Sequence, residues 1–353
     1  MANLNIKVTK TNESKLSKLD WNNLPFGKNF SDHMFVADYI NGEWTNLEII
    51  PYQNISISPA NAALHYGQSI FEGVKAYRLA NGDAAIFRLE DNFKRFNRSA
   101  ERLMMPEVPA EVFVEGTKQL VALDQDWIPN KENHSLYIRP FMFAMDEVIG
   151  VKPSDNYKFM VLLSPTGPYY PKPMRIYVEE QFVRAVPGGV GYTKVAGNYA
   201  SSLYAAKVAK DKGFDQVLWM DAIEHKYVQE MGTMNAFFII GNKAITPGLE
   251  DGTILEGVTR NSVIQILKEI GLTVEERNLS IDEIMDAYKS GELKEAFGTG
   301  TAATISRIQE LVHGDFSMTF DCDKWEVSPE VTKRIDDIRY GRVEDRFNWL
   351  VNV

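Results

Sequence analysis

A lysine among small residues is the strongest candidate for chemistry in this sequence. Lys194 lies in "GYTKVAGNYASSLYAAKVAK", residues 191–210, which continues with helical spacing. A neutral lysine amine forms a Schiff base with an aldehyde, and burial or nearby positive charge must first lower its pKa from about 10.4. Small neighbours would leave room for a flat ligand beside the amine. The alternative interpretation is a lysine that caps a turn.

A glutamate in a strand-like stretch is the second candidate. In "VQEMGTMNAFF", a strand would place Val228, Glu230 and Gly232 on one face, where the carboxylate is buried. Buried carboxylates are rare unless they are paired. A pyridinium N–H is a suitable partner, because pyridoxal phosphate enzymes use an acid there to keep the ring protonated. The alternative is a glutamate on an edge strand.

Two stretches offer groups that bind anions. "LEGVTRNSV" predicts a helix start at Val258 and Thr259, where free N–H groups and the helix dipole favour negative charge. "FGTGTAATIS" offers Thr301 in a run of glycine and threonine. Neither stretch matches the P-loop or the dinucleotide-binding pattern. Arg95 lies on a predicted helix, for which a solvated basic face is the alternative interpretation.

Composition narrows the function classes. A chain of 353 residues suggests about two domains of roughly 100–200 residues. The net charge of −10 argues against a nucleic-acid partner, and no apolar run reaches the roughly 20 residues that span a bilayer. We expect no metal site, since the histidines are scattered. The polar N-terminal stretch and a single cysteine, Cys322, predict a cytoplasmic location without an intramolecular disulfide.

Hairpins and helices alternate irregularly along the chain, which predicts an α+β protein. Asn41-Gly42 and Asn81-Gly82 predict hairpins, and Ser280 with Glu283 predicts a helix-capping box. Further helices are predicted in "DNFKRFNRSAERLMM", "EVFVEGTKQLVALDQDW" and "VTRNSVIQILKEIG", and strands in "SLYIRPFMFAM", "YKFMVLLS", "QVLWM", "KYVQEM" and "AFFIIGNKAI". The proline-rich "SPTGPYYPKPM" predicts a linker. The predicted division is an arm at 1–25, a small domain at 26–164, a linker at 165–174 and a large domain at 175–353.

Seven motifs together carry a resemblance to a known family. They are "ALHYGQSIFEGVKAYR", "SLYIRP", "GPYY", "GNYASSL", "QEMGTMN", "GVTR" and "GTGTA". From about Phe26 to Arg342 the chain resembles the longer subgroup of branched-chain amino acid aminotransferases, which have the pyridoxal phosphate fold type IV. This resemblance implies a small α/β domain, a larger β-barrel-like α/β domain and an active site between them.

The resemblance also implies roles in binding pyridoxal 5′-phosphate. Lys194 bonds to the cofactor and shuttles a proton, Glu230 pairs with the pyridine nitrogen, and Tyr199 reaches toward the O3′ side of the ring. The other implied cofactor contacts are Arg95, Thr233, Val258, Thr259 and Thr301.

Substrate residues follow from the same resemblance. Residues matching the family's side-chain pocket are Phe30, Tyr66, Phe71, Tyr137 and Ala302. Backbone N–H groups at Thr301 and Ala302, with Tyr66, would hold the α-carboxylate, and Tyr169 or Tyr170 would lie on the interdomain loop. Ile149 and Val151 match a loop that reaches the pocket of the partner chain in a homodimer.

Arg139, in "YIRP", is the predicted partner of the second carboxylate of glutamate. A pocket that accepts both leucine and glutamate must compensate a buried charge, and a guanidinium does this well. The alternative is a structural arginine that pairs with a neighbouring strand.

The implied reaction is a two-half transamination of L-leucine, L-isoleucine and L-valine with 2-oxoglutarate. Two alternatives keep the fold, a D-amino acid aminotransferase and an aminodeoxychorismate lyase. A third is a non-catalytic protein that binds a phosphate ligand. Lys194 and Glu230 favour an enzyme, because a protein that only binds needs neither residue.

Overall fold

A computed structural model describes residues 5–170 and 172–353. Its strands are β1 Lys7–Val8, β2 His33–Ile40, β3 Glu43–Pro51, β4 Ser69–Phe71, β5 Val74–Arg78, β6 Ala84–Phe87, β7 Ser135–Ala144, β8 Tyr157–Thr166, β9 Met174–Glu179, β10 Gln216–Met220, β11 Val228–Met231, β12 Met234–Ile240, β13 Lys243–Thr246, β14 Thr273–Glu276, β15 Leu293–Gly300, β16 Thr304–His313, β17 Phe316–Thr319 and β18 Leu350–Asn352.

The α-helices lie mostly where helical spacing predicts them. They are α1 Ala62–Tyr66, α2 Leu89–Arg102, α3 Gly116–Leu123, α4 Ala196–Ser201, α5 Leu203–Asp211, α6 Val258–Glu269, α7 Ile281–Lys289 and α8 Val327–Arg339. The predicted Ser280 cap is confirmed, since its hydroxyl accepts from the Glu283 N–H at 3.1 Å. The reciprocal half of the capping box is absent among the described contacts, because the Glu283 carboxylate accepts from Arg277 instead. None of these helices, all within the described ranges, combines the length and apolar character that crossing a membrane requires.

The chain divides into two compact units. The first contains the described residues up to Tyr169 with Lys194–Ala196 and Ile338–Val353, and the second contains Tyr170–Thr193 and Gly197–Asp337. This division differs from the predicted one, because the last 16 residues, Ile338–Val353, belong to the first unit, where β18 pairs with β6. Residues 1–4 of the predicted arm and Pro171 of the predicted linker lie outside the described residues.

One mixed sheet organises the first unit. Its strand order is β1-β3-β2-β8-β7-β5-β6-β18, and β4 adds to β7. The predicted Asn41-Gly42 hairpin joins β2 to β3 with positive φ at both residues, as a type I′ turn requires. The Asn81-Gly82 segment likewise joins β5 to β6. The C-terminal strand thus completes a sheet that begins more than 300 residues earlier in sequence.

The sheet of the second unit closes on itself. Its order is β11-β10-β9-β16-β15-β12-β13-β14, and β11 also pairs with β12. Six strands therefore form a closed ring, which is the predicted barrel-like sheet. Apolar side chains from these strands, among them Ile176, Leu218, Phe238 and Ile308, form its buried core. Cys322 is free and buried in this unit, and burial raises the pKa of its thiol.

A buried glutamate of β15 caps α8. Glu295 Oε1 accepts from the backbone N–H groups of Glu326 and Val327 at 2.9 and 2.6 Å, and Oε2 accepts from Ser328 at 2.8 Å. These are donors that a helix start leaves without intrahelical partners, and the positive end of the helix dipole favours the carboxylate. Glu295 thus ties the start of α8 to the barrel.

We predict that Glu295→Gln destabilises the protein by about 1–3 kcal/mol, because an amide NH₂ turned toward N–H donors leaves buried groups unsatisfied. The measurements are the thermal unfolding midpoint and amide hydrogen exchange at residues 326–328. Glu224→Gln, on an exposed turn, is the control with the same charge change. Equal midpoints and exchange rates for the two variants would contradict the capping role.

Candidate active site

The backbone of Lys194 is held from two directions within the first unit. Its N–H donates to the Ser99 hydroxyl of α2 at 2.9 Å, and its carbonyl accepts from the Phe71 N–H of β4 at 3.1 Å. The next residue, Val195, forms a bridge to Ile70. The amine Nζ lies 4.7 Å from the centroid of the Phe71 ring. Lys194 is therefore fixed by a helix and a strand.

The Lys194 amine has the lowered pKa that Schiff-base chemistry requires. Desolvation of the amine, and after it the positive charge of Arg95, lower the pKa to about 8. Glu72 acts in the opposite direction. At pH 7 roughly one amine in ten is then neutral, against fewer than about one in a thousand for an ordinary lysine. A lysine that merely caps a turn would not need this environment.

Arg95 is buried and paired, so the solvated-face interpretation is wrong. Only 5% of its surface is exposed. Its Nε and Nη2 donate to Oε1 and Oε2 of Glu72 at 2.7 and 2.8 Å. Sequence reasoning missed Glu72, whose signal was a lone carboxylate in the apolar stretch "SIFEGV". The buried pair holds the Arg95 guanidinium in one orientation.

Arg139 lies against two aromatic rings in the same unit. Its guanidinium carbon is 4.7 Å from the Phe71 centroid and 5.2 Å from that of Tyr137, and Nη2 donates to the Tyr137 hydroxyl at 3.0 Å. Within the described part of the chain, no carboxylate lies within ion-pair distance of Arg139, and its buried Nε has no hydrogen-bond partner. Among the described residues, Arg139 thus contacts aromatic rings and a hydroxyl and not a carboxylate.

The other predicted aromatic substrate residues of this unit fall into two groups. Phe26, which the sequence reasoning did not select, contacts Tyr137 and Tyr169 edge-on at centroid distances of 4.7 and 4.9 Å. Phe30 stacks on Tyr52 at 5.0 Å. Tyr137 also lies near Arg139, while Phe30 belongs to a separate stack.

Three predicted residues are exposed. Tyr66 ends α1, and Ile149 and Val151 lie in the loop after β7 with 74% and 89% of their surfaces exposed. These apolar side chains project from the first unit into solvent. Their predicted contacts with a substrate and with a partner chain remain predictions.

Glu230 lies in β11 of the second unit and is buried, as expected. It is not on an edge strand, since β11 pairs with both β10 and β12. Its Oε1 accepts from the Leu255 N–H at 2.7 Å, and its Oε2 lies 3.2 Å from Arg184 Nε. Arg184, which the sequence did not indicate, also donates to the carbonyls of Gly191 and Thr253. The buried Glu230 carboxylate therefore has a hydrogen-bond donor and a positive charge as neighbours.

Two glycines close to Lys194 in sequence have different surroundings. A Cβ at Gly191 would meet the Thr253 carbonyl oxygen at 2.5 Å, so the protein itself fills that space. At Gly197 a Cβ would meet nothing within 4 Å. The prediction that these glycines make room for a ligand is therefore wrong for Gly191, where close packing of backbone requires glycine.

Phosphate-binding candidates of the second unit are a helix start and a turn. Val258 and Thr259 are buried at the start of α6, whose first turn, all within the described residues, carries no acidic side chain. Thr301 and Ala302 form the turn between β15 and β16. Close to that turn in sequence, the buried hydroxyls of Thr299 and Ser306 have no hydrogen-bond partner among the described residues.

Two further predicted cofactor residues lie in the second unit. Tyr199 is partly buried in α4, and Thr233 is exposed in the turn between β11 and β12. The roles expected of both in cofactor binding remain predictions. The described residues contain no group of three or more His, Cys, Asp or Glu side chains arranged to hold a metal ion.

The side chains present suit pyridoxal 5′-phosphate. A lysine amine with a lowered pKa suits its aldehyde, and a buried carboxylate suits a protonated ring nitrogen. The α6 start and the unpaired hydroxyls near the Thr301 turn suit a phosphate. Each required kind of group is therefore present.

Comparisons with known proteins agree with this donor set. Residues 69–311 match the family model of the class IV amino-transferases. The branched-chain-amino-acid aminotransferase 2 of Bacillus subtilis is 49% identical, and the match covers 100% of this chain and 98% of the Bacillus protein. A branched-chain-amino-acid aminotransferase of Mycolicibacterium smegmatis is 41% identical over 100% of this chain and 97% of its own.

Solved structures show the same fold. The branched-chain aminotransferase of Thermoproteus uzoniensis with norvaline has a TM-score of 0.75 at 25% identity, over 91% of this chain and 99% of that one. The branched-chain amino acid aminotransferase of Escherichia coli has a TM-score of 0.74 at 25% identity, over 91% and 98%. The chain belongs to the class IV amino-transferases, in their branched-chain-amino-acid aminotransferase group.

Proposed function

We propose that the protein transfers the amino group of L-leucine, L-isoleucine and L-valine to 2-oxoglutarate, giving branched-chain 2-oxo acids and L-glutamate. The observation that carries the proposal is the desolvated Lys194 amine, whose pKa is lowered to about 8. The names of the similar proteins, which describe branched-chain aminotransferases at up to 49% identity over the whole chain, support the substrate class. A ping-pong order follows, because one pocket serves both half-reactions.

Lys194 is the proposed base and acid. Bound pyridoxal phosphate supplies an aldehyde that takes up amino groups and a ring that accepts electrons. Lys194 Nζ, in its neutral form, takes the α-proton of the amino acid and later returns it. The hydrogen bonds that the Lys194 backbone makes with Ser99 and Phe71 hold it in place while its side chain moves.

The remaining proposed cofactor contacts divide by chemistry. Glu230, which lies beside Arg184, would accept a hydrogen bond from the protonated ring nitrogen. Tyr199 would contact the ring at its O3′ side. The phosphate would be held by the groups predicted for it, Arg95, Thr233, Val258, Thr259 and Thr301.

Arg139 is the proposed determinant of dual specificity. Its guanidinium lies over both Phe71 and Tyr137 and retains an unused Nε donor. A glutamate side chain would pair with it, and a leucine side chain would instead contact the aromatic rings. Phe30, Tyr66, Tyr169 and Ala302 are the other proposed substrate contacts.

A homodimer and a cytoplasmic location are part of the proposal. The loop that contains Ile149 and Val151 is the surface proposed to meet the second copy of the chain, and its two apolar side chains, 74% and 89% exposed, are available for that contact.

The deciding experiment is an absorbance spectrum of purified protein before and after L-leucine. We expect a visible band of bound cofactor that L-leucine removes and 2-oxoglutarate restores. A response to D-alanine, or product formation from aminodeoxychorismate, in place of the L-leucine response would support the alternative enzymes. No band and no turnover would support a protein that only binds a phosphate ligand.

We predict that Lys194 in cofactor-free protein reacts with an amine-directed reagent with a midpoint near its pKa of about 8. The neutral, reactive amine is a small fraction of Lys194 well below that pH and nearly all of it well above. Arg95→Met should raise the midpoint, because a positive neighbour is lost and Glu72 is left uncompensated, whereas Arg95→Lys should leave it nearly unchanged. Labelling at each pH is measured by mass spectrometry.

Lys324 is the internal control for this labelling. Its hydrogen bond to Asp321 raises its pKa above the ordinary value, so it should label only at much higher pH. A Lys194 midpoint equal to that of Lys324 would show that the environment of Lys194 does not lower its pKa.

We predict that Arg139→Met lowers kcat/KM for glutamate and 2-oxoglutarate by about 30-fold or more, because losing one partner of a desolvated ion pair costs roughly 2–5 kcal/mol. The kcat/KM for leucine should change only several-fold. Arg78→Met is the control, since Arg78 donates to the carbonyls of Gly82 and Gln125. Equal losses for glutamate and leucine would mean that Arg139 is structural.

A further inference from the structure

A cavity of about 300 Å³ lies against the N-terminal segment of the first unit. Its lining, drawn from the described residues, contains three lysines and no aspartate or glutamate. The lysines are Lys15, Lys18 and Lys28. In a chain with a net charge of −10, three cations around one cavity are a marked local excess of positive charge.

The cavity also has a flat apolar wall. Phe30 and Tyr52 stack at 5.0 Å with their planes 7° apart, and Trp127 adds a third ring to the lining. The Lys15 ammonium lies 5.2 Å from the Tyr52 centroid. A small organic anion with a carbon chain would find both charge and apolar contact here.

The segment carrying two of the lysines is anchored by buried polar groups. Asp32 accepts from the Lys15 N–H at 2.8 Å and from the Ser14 hydroxyl at 2.6 Å. The Thr11 N–H donates to His33 Nε2 at 2.9 Å, so His33 carries its proton on Nδ1, which donates to Asp124 at 2.6 Å. The positions of Lys15 and Lys18 therefore follow from buried side chains of the sheet.

The lysines have little to neutralise them. Lys28 has no carboxylate partner among the described residues. Lys18 meets only the exposed Glu13 at 3.2 Å, a pair of the kind that contributes little in water. The Asp32 carboxylate, which also accepts from Trp127 Nε1 at 3.1 Å, offsets part of the charge. Three ammonium groups against the carboxylates of Glu13 and Asp32 leave a net positive charge for an incoming anion.

We propose that this lysine cavity is an entry site for the dicarboxylate substrates, 2-oxoglutarate and glutamate. The inference rests on the proposed function, in which Phe30 contacts substrate. 2-Oxoglutarate has charge −2, glutamate −1 and leucine 0 at neutral pH, so the cations attract them in that order. The lysine cavity raises the local concentration of the acidic substrates and leaves that of leucine unchanged.

The kinetic test uses Lys15→Gln, Lys18→Gln and Lys28→Gln, singly and together, in the holoenzyme. At low ionic strength we expect each change to lower kcat/KM for 2-oxoglutarate by about 2- to 5-fold and the triple variant by about tenfold or more. The kcat should stay constant, kcat/KM for leucine should change less than about twofold, and added salt should remove most of the difference.

The matched control is the triple variant Lys207→Gln, Lys289→Gln and Lys333→Gln. These exposed lysines lie in α5, α7 and α8 of the second unit. Both triple variants change the net charge by −3, from −10 to −13. If the control lowers kcat/KM for 2-oxoglutarate as much as the cavity variant does, net charge and not the cavity is responsible, and the proposal is overturned.

A binding measurement separates this proposal from the proposed function. Cofactor-free protein is titrated with 2-oxoglutarate, and the heat of binding is measured by calorimetry. We expect salt-sensitive binding that the cavity triple variant loses and the control triple variant retains. An inactive wild-type protein that still binds would refute the transamination and keep the anion site. Binding and kcat/KM that are both unchanged in the cavity variant would overturn the site itself.

Discussion

Desolvation of a lysine amine beside an arginine is the constraint on which the first unit depends. Two positive charges, Lys194 and Arg95, lie in a region where an unpaired charge is costly. Glu72 compensates Arg95 with two hydrogen bonds, and the amine responds by a lowered pKa. The sheet must bring β4, β7 and α2 together to create this balance, so the lowered pKa of one side chain depends on the packing of the whole unit.

In the second unit the buried charged group is a carboxylate, and its neighbour of opposite charge is an arginine. Glu230 is buried in a closed ring of strands, where a lone carboxylate would take up a proton. Arg184 places a positive charge 3.2 Å from this carboxylate and also donates to two loop carbonyls, one of them at Gly191. A side chain at Gly191 would collide with the Thr253 carbonyl, so this position requires glycine. Charge compensation and backbone packing are satisfied here by the same residues.

Much of the fold could be predicted because it follows from local rules. The Asn41-Gly42 turn, the Ser280 cap and helix α6 each depend on residues within a few positions of one another. The domain boundaries were harder to predict, because β18 joins the first sheet from the far end of the chain. The residues "LVN" contain no local signal that their partner strand is β6.

The sequence by itself determined which groups are candidates for chemistry: the amine of Lys194, the carboxylate of Glu230 and the guanidinium of Arg139 are recognisable from motif and residue type. Only the tertiary structure decided their environments. Glu72, Arg184 and Phe26 were missed because their roles arise from partners 23, 46 and 111 positions away, Arg95, Glu230 and Tyr137. A pKa, an ion pair and a ring contact are properties of distances in space, which residue order does not contain.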